Sequence, residues 1–375
     1  MNASVLVTGA QGFIGRHVCV ELARRAGARV TRATRETNDR DLREMALAAD
    51  VVVHLAGANR PSDPADFTRI NVDLTRTVCD TLSVARRSAL VILASSTQAG
   101  NGTPYGESKL DAERVVETYA RSGGRGAVFR FPNVFGKWAK PRYNSAVATF
   151  ADAIAKGLPY EVHEPKRPVT LLHVSDAVAA IVRCIEEMPK AGEIAWPEVG
   201  PTHTVRLQDL VALLTSFRDA RSNWHLPEVS QPFVRALHST YLSYLPTTEF
   251  AYDLAARSDH RGVLAEFVKA GGLGQIFVSR TKPGVTRGNH WHETKVEKFL
   301  VVAGDAIIRF RPFMGDGCLE YPVNGTQLRV VDIPPGYVHS IENVGSDELI
   351  TLFWANEPFD PDRPDTYACE VLRDR

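Results

Sequence analysis

Two groups of side chains in this sequence have the types and spacing to do chemistry. Tyr105-Gly-Glu-Ser-Lys109 sets a phenol and an ammonium one helical turn apart. A neighbouring cation is expected to lower the phenol pKa, which makes Tyr105 a proton donor to a carbonyl becoming an alcohol. Just upstream, Ser95-Ser96-Thr97 ends a predicted strand with hydroxyls that could hold that carbonyl. The second group lies far along the chain, in His290-Trp-His292-Glu-Thr-Lys-Val-Glu297. His290 and His292 are two apart and share a face if the segment is a strand. Glu297 follows a predicted turn, and Pro334-Pro-Gly-Tyr337-Val-His339 supplies a third imidazole. Three imidazoles and a carboxylate suit Zn²⁺, with Mn²⁺, Fe²⁺ and Ni²⁺ also compatible. The alternative is a metal-free barrel in which these histidines are hydrogen-bonded core residues.

The N-terminus holds a third signal. Gly9-x-x-Gly12-Phe13-Ile14-Gly15 follows a predicted strand and opens a predicted helix. Glycines there allow a tight turn and close approach to a pyrophosphate at the helix N-terminus. An acidic residue about 20 positions on would favour NAD. The second strand, Arg29–Ala33, leads instead to Arg32, Thr34 and Arg35, so a 2′-phosphate and NADPH are expected, with Arg16 assisting.

The elements that must position these groups follow two grammars. In the first half, apolar strands Ser4–Val7, Val51–Leu55, Leu90–Ala94 and Ala127–Arg130 alternate with helices predicted over Arg16–Arg25, Ala65–Arg86 and Glu107–Arg121. That alternation predicts an α/β Rossmann-type doubly wound parallel sheet. A strand over Leu171–Val174 and helices over Asp176–Glu187 and Val205–Phe217 continue it. After Leu245-Pro246 short strands crowd together: Gln275–Ser279, Lys298–Val302, Ala306–Phe310, Leu328–Ile333 and Leu349–Trp354. These predict an all-β jelly-roll barrel. Two domains are expected, 1–245 and 246–375, and 375 residues suffice for two cores.

Composition excludes several classes. Lys plus Arg and Asp plus Glu both number 44, which leaves no electrostatic footprint for nucleic acid or an anionic membrane. No apolar run approaches the length that spans a bilayer, and no basic-then-apolar leader precedes the first strand. The 5 cysteines are scattered and odd in number, which points to a reducing compartment; a cytoplasmic protein is expected.

The glycine loop, His54-Leu55-Ala56-Gly57, Ser95-Ser96, Tyr105/Lys109, Arg130-Phe-Pro-Asn133-Val-Phe-Gly136 and Leu172-His173-Val174-Ser-Asp176 together resemble the extended short-chain dehydrogenases, over roughly residues 1–245. The resemblance implies a Ser96–Tyr105–Lys109 triad, with Thr97 as the substitute for Ser96, and adds Leu55, Ala56 and Gly57 to the cofactor contacts. The interval from Ser96 to Tyr105 is shorter than usual in that family. The histidine motifs resemble both cupin signatures, although Leu328 stands where the second usually has a leading glycine.

A further likeness links Asp259-His-Arg261-Gly262, Glu266-Phe267, Gln275, Ser279, Gly284-Val285, Arg287-Gly288 and His290 to nucleotide-sugar 4-keto-hexose epimerases. There the residue matching His290 is a base, and Lys298 matches a lysine near the enolate. A nitrogen that ligates a metal cannot also abstract a proton. Either His290 is a ligand, with Tyr337 or Lys298 carrying the proton, or the site is metal-free.

The whole chain resembles bifunctional capsule and O-antigen synthesis enzymes. That resemblance implies a homodimer in UDP-N-acetyl-L-fucosamine synthesis. It also implies C3 epimerisation of a UDP-4-keto-2-acetamido-2,6-dideoxyhexose in the cupin, then NADPH reduction to UDP-2-acetamido-2,6-dideoxy-L-talose, with zinc in the barrel. Asn133, Trp138, Lys140, Arg142 and Arg167 become candidates for gripping the UDP-sugar. Two rival readings are an NADP(H)-binding sensor with an effector-binding cupin, and a cupin dioxygenase fused to a reductase.

Overall fold

A computed structural model describes residues 3–223, 227–253, 256–259, 262–265, 274–357 and 360–373. Of the epimerase-like stretch, His260, Arg261, Glu266 and Phe267 lie outside the described residues. The chain forms two compact units. One contains Met1–Phe135, Arg142–Ser145 and Pro168–Val205; the other contains Gly136–Pro141, Ala146–Arg167 and Arg206–Arg375.

The helices and strands of the first half run β1 (Ala3–Thr8), α1 (Phe13–Ala23), β2 (Ala28–Ala33), α2 (Asp39–Ala48) and β3 (Val51–His54). Next come a π-helical stretch, Phe67–Asp73, then α3 (Leu74–Val84), β4 (Leu90–Ser96), α4 (Pro104–Arg121), β5 (Arg125–Phe131) and β6 (Asn133–Phe135). After these follow α5 (Ala146–Ala155), β7 (Pro168–His173), α6 (Val174–Glu186), β8 (Ile194–Ala195), β9 (Thr202–Arg206), α7 (Leu207–Asn223) and α8 (Pro232–Leu242).

In the first unit, a parallel sheet has the order β2-β1-β3-β4-β5-β8. Its central strands are buried on both faces because alternate residues feed two cores. Val5, Val7, Val51, Val53, Leu90, Ile92 and Phe129 pack with residues of α1 and α6. Leu6, Val52, Val91, Leu93 and Val128 pack with residues of α2, α3 and α4. The sheet is therefore doubly wound. The chain builds outward from β1 to β2 and then jumps back to β3 on the other side of β1, which creates the crevice where open α/β sheets bind nucleotides. A small sheet, β6-β7-β9, stands beside it in the same unit.

The helix expected over 65–86 departs from α-geometry. Phe67–Asp73 is wound as a π-helix before α3 begins at Leu74. Such widened turns concentrate at functional sites, and this one carries Asn71.

The second unit contains α5, α7 and α8, which pack on one another, and the strands of the β-rich half. These are β10 (Ala251–Asp253), β11 (Ala256–Asp259), β12 (Gly262–Ala265), β13 (Gln275–Thr281), β14 (Thr286–Trp291) and β15 (Glu297–Ala303). The remainder are β16 (Asp305–Pro312), β17 (Leu319–Asn324), β18 (Arg329–Ile333), β19 (Tyr337–Asn343), β20 (Leu349–Ala355) and β21 (Tyr367–Ala368). Two five-stranded antiparallel sheets, β10-β18-β15-β20-β13 and β17-β16-β19-β14-β21, face each other. Phe299, Val331 and Phe353 of one share a core with Ile308, Phe310 and Ile341 of the other. That is the expected double-sheet barrel. Among the described residues no helix is long and apolar enough to cross a membrane.

Candidate functional sites

The side chains expected to form a triad, Ser96, Tyr105 and Lys109, lie at the end of β4 and on the first turns of α4. Thr103 caps α4 by accepting a hydrogen bond from the Gly106 amide at 3.1 Å, and Pro104 occupies its first turn. Tyr105 therefore sits on the helix itself. The short interval from Ser96 closes as a compact loop: Gly100 N bonds Gly106 O at 3.0 Å, and the Glu107 carboxylate accepts the Gly102 amide at 2.9 Å. A Cβ at position 106 would lie 2.4 Å from the main-chain Gln98 O, so glycine is what lets this loop fold onto the helix.

Ser96 is buried and close enough to the Tyr105 phenol to favour its ionised form, whereas Thr97 is exposed. Lys109 is buried and its Nζ donates to Ala94 O at 2.6 Å. The expected lowering of the phenol by Lys109 is not what the structure has. Burial pushes the Tyr105 pKa up, and only Ser96 opposes it. The Lys109 ammonium is directed to a carbonyl of β4. A phenol held protonated suits a proton donor. Burial also lowers Lys109 to about 8, with Glu113 partly offsetting it.

Two supporting residues escaped the sequence reading. Asn71, buried on the π-helical stretch, accepts from Ala58 N at 2.7 Å and donates to Ala58 O at 3.0 Å and Ser108 Oγ at 2.9 Å. It ties the loop after β3 to helix α4. Glu113 on α4 accepts from Ser95 Oγ at 2.5 Å and from Arg130 at 3.0 and 2.6 Å. It braces the strand end that carries Ser96. Neither residue belongs to a short-spaced motif; only the stretches around their partners, Ser108 for Asn71 and Ser95 and Arg130 for Glu113, were visible.

The loop after β1 fits a dinucleotide. Gly9 has a φ of 64°, and a Cβ at Gly15 would stand 2.2 Å from Gly9 O. The loop therefore keeps a close turn with helix α1 beginning directly behind it, the cradle a pyrophosphate needs. Phe13 and Ile14 pack on the sheet core, and Arg16 Nε donates to Gln11 O at 3.0 Å, stiffening the turn. Thr8 Oγ1 accepts from the Leu55 and Ala56 amides, both at 3.2 Å, which fixes the Leu55–Gly57 loop across the crevice. Arg35 lies exposed in the turn after β2, and Arg32 is exposed on β2 itself.

In the barrel, His290, His292, Glu297 and His339 converge, with one ligand atom from each lying within 4.8 Å of the others. His290 and His339 are cross-strand partners on β14 and β19, and their rings are 4.5 Å apart. The fit to a metal rests on the donor atoms. His292 Nε2 and His339 Nε2 are buried without a hydrogen-bond partner among the described residues. Glu297 Oε2 lies 3.2 and 3.5 Å from them. Burial, then the neighbouring His339 and His292, lowers His290 to about 4, leaving a neutral imidazole with a lone pair to offer. Burial works against the Glu297 charge, but His292 and His339 hold its carboxyl well below the usual range. Orphaned lone pairs beside an ionised carboxylate are what a divalent cation satisfies.

Lys298 is corrected. It follows Glu297 on β15, so strand alternation sends it to the opposite face. There its Nζ bonds Asp332 Oδ1 at 2.5 Å and the Tyr252 hydroxyl at 2.7 Å. Arg221 of α7 takes the other oxygen of Asp332. Lys298 is thus a structural cation behind the sheet. Tyr337 stays on the His339 face, two residues earlier on β19, with its ring 5.1 Å from Phe250; burial pushes its pKa up.

The sugar-gripping candidates divide between the units. Asn133 is exposed on β6 and donates to Thr170 O at 3.2 Å. Arg142 is exposed in the first unit. In the second, Trp138 lies 4.8 Å under the Lys137 ammonium, Lys140 is exposed, and exposed Arg167 pairs with Glu164 at 3.6 Å.

Residues 5–195 match the NAD dependent epimerase/dehydratase family, and residues 257–367 match the polysaccharide biosynthesis C-terminal domain. The UDP-2-acetamido-2,6-beta-L-arabino-hexul-4-ose reductase of Pseudomonas aeruginosa is 39% identical over 368 residues, 98% of both chains. The crystal structure of the capsular polysaccharide assembling protein CapF from Staphylococcus aureus is similar over 98% of this chain and 100% of its own. Its TM-score is 0.65 at 42% identity. A UDP-glucuronic acid 4-epimerase from Bacillus cereus with bound NAD shares the fold over 58% of this chain and 84% of its own, at 18% identity and a TM-score of 0.51. The chain therefore belongs to the NAD dependent epimerase/dehydratase family, with a polysaccharide biosynthesis C-terminal domain following in the same chain.

Proposed function

We propose that the chain is a bifunctional nucleotide-sugar enzyme of capsule or O-antigen synthesis, with reductase residues in 1–245 and epimerase residues in 246–375. The observation that carries this reading is one chain holding both a Ser96–Tyr105–Lys109 triad beside a dinucleotide loop and a four-ligand cluster in a β-barrel. A C4 ketone links the two chemistries, because it acidifies the C3–H and is also what a hydride reduces. Epimerisation must therefore come first.

The substrate is a UDP-4-keto-2-acetamido-2,6-dideoxyhexose, and the product is UDP-2-acetamido-2,6-dideoxy-L-talose. This agrees with the activity named for the Pseudomonas relative. NADPH supplies the hydride when bound, with the exposed Arg35 positioned after β2 to meet a 2′-phosphate. Tyr105 gives its proton to the C4 oxygen as hydride reaches C4, Ser96 holds that oxygen, and Lys109 balances the phenolate.

In the barrel, His290, His292, Glu297 and His339 would hold Zn²⁺, which supplies polarisation of the ketone. His290 would then serve as a ligand, which leaves Tyr337, on the His339 face of β19, as the candidate proton carrier at C3. Asn133, Trp138, Lys140, Arg142 and Arg167 are proposed UDP-sugar contacts. We further place the enzyme in the cytoplasm as a homodimer.

The test is incubation of purified protein with the UDP-4-keto sugar in D₂O. Deuterium should enter C3 without NADPH, and the alcohol should form only with it. A protein that neither exchanges C3 nor oxidises NADPH refutes the reading.

A further inference from the structure

Outside the ligand set, one carboxylate near the end of the chain organises the turn between two ligands. His292 and Glu297 are separated by residues 293–296. Asp365 Oδ1 accepts the Glu293 amide at 2.9 Å, and its Oδ2 accepts Thr294 N at 2.9 Å, Lys295 N at 2.7 Å and Thr294 Oγ1 at 3.0 Å. Three consecutive amides thus close on one anion. From another side, the buried Lys137 donates to Glu293 O at 3.0 Å and pairs with the Glu293 carboxylate at 2.9 Å.

The main chain of Asp365 acts as well. Its carbonyl oxygen lies 2.5 Å from His292 Nδ1. A carbonyl can only accept, so Nδ1 carries a proton, and in the neutral ring this leaves the lone pair on Nε2, the nitrogen beside Glu297. The residue holds this pose at a φ of 39°, uncommon without glycine, so its surroundings must impose it. They do. Lys295 Nζ bonds Pro364 O and, at 3.2 Å, Thr366 Oγ1, and β21 pairs with His290 and Trp291 of β14.

We propose that Asp365 is a positioning residue of the metal centre. Its side chain sets the path from His292 to Glu297, and its carbonyl aims the His292 ring. This rests on the metal reading given above.

The test uses the full-length protein, with Zn²⁺ affinity read by competition with a chromogenic chelator and the visible spectrum read after Co²⁺ loading. Asp365→Ala keeps the carbonyl that His292 meets and removes the carboxylate that holds the turn; loss of such an outer support costs about 10- to 100-fold in metal affinity, and the variant should fall in that range with an altered Co²⁺ spectrum. Asp365→Asn keeps one acceptor oxygen and should recover part of the loss. NADPH affinity, a property of the other compact unit, should be unchanged and reports a folded chain. Parent-like Zn²⁺ affinity and Co²⁺ spectrum in Asp365→Ala overturn the role of Asp365 alone. A parent that binds neither ion overturns the metal centre and this proposal with it. If Asp365→Ala yields no soluble protein, Asp365→Asn decides: weakened Zn²⁺ binding supports the proposal, and parent-like binding overturns it.

Discussion

Replacing Asp332 and Lys298 one at a time separates structural charge from catalytic charge. Asp332 is 0% exposed and is shared by Lys298 and Arg221, and Lys298 also meets the Tyr252 hydroxyl. Asp332→Ala strands two cations, and breaking a buried pair this way costs about 3–5 kcal/mol. Lys298→Met leaves Asp332 with Arg221 and loses the ammonium's bonds to Asp332 and to the Tyr252 hydroxyl, the charged one worth about 1.5–3 kcal/mol before apolar packing offsets part of the loss. In a unit of roughly 200 residues, each kcal/mol moves the melting midpoint by roughly 2–4 °C. Asp332→Ala should therefore melt roughly 6–20 °C below the parent, and Lys298→Met should fall by clearly less. Calorimetry reads this on the transition that added Zn²⁺ raises, since a ligand stabilises only the unit that binds it. The same samples are then assayed for deuterium entry at C3. Lys298→Met should keep exchange, because its ammonium faces away from the histidines. A folded Lys298→Met protein that has lost exchange would refute the strand-parity argument. A fall for Lys298→Met equal to that for Asp332→Ala would refute the charge accounting.

Tyr105→Phe should abolish NADPH oxidation and leave C3 exchange intact, followed by absorbance and by NMR in D₂O; loss of both activities would mean they are not separable. Arg35→Ala removes a charged contact worth about 1.5–3 kcal/mol, so NADPH should bind roughly 10- to 100-fold more weakly while NADH changes little. Equal losses in a fluorescence titration would place the 2′-phosphate elsewhere. Lys109, lowered by burial to about 8, loses its proton earlier than an ordinary lysine. The free-enzyme profile, kcat/KM for NADPH, should therefore decline above about pH 8 instead of near 10. Lys109→Arg, cationic throughout, should flatten that limb, and a parent profile level to roughly pH 9.5 would contradict it.

What the sequence made legible was local. The Gly9–Gly15 loop, the Tyr105/Lys109 pair and the His290/His292/Glu297 run are short spacings on single elements, and their geometry follows from helical or strand periodicity. The Lys298 reading failed on a rule the sequence itself carried: a residue next to Glu297 on a strand faces the other way. Other features needed the tertiary fold. Asn71 reaches Ser108 through a π-helical turn that no 3.6-residue pattern announces. Asp365 meets the metal-ligand turn from about 70 positions away in sequence. Helices α2 and α5 went unread for opposite reasons. Among the residues of α2 only Leu42 and Ala46 are buried, whereas α5 is apolar nearly all round, so neither shows a clean stripe. The lowering of Tyr105 by Lys109 was inferred from helical spacing, and burial, which raises it instead, depends on the tertiary fold.

The interleaving of the two compact units has a consequence for how such an enzyme can be divided. Residues 136–141 and 146–167 belong with the barrel although both precede stretches of the sheet-bearing half. A scissor cut after Leu245 would leave α5, α7 and α8 on the fragment that does not contain the barrel. It would also strip Arg221 from Asp332 and Lys137 from the Glu293 turn. Grafting one half onto a homologue's other half would meet the same obstacle: the helices must travel with the strands they brace, and no single crossover in the gene can carry them.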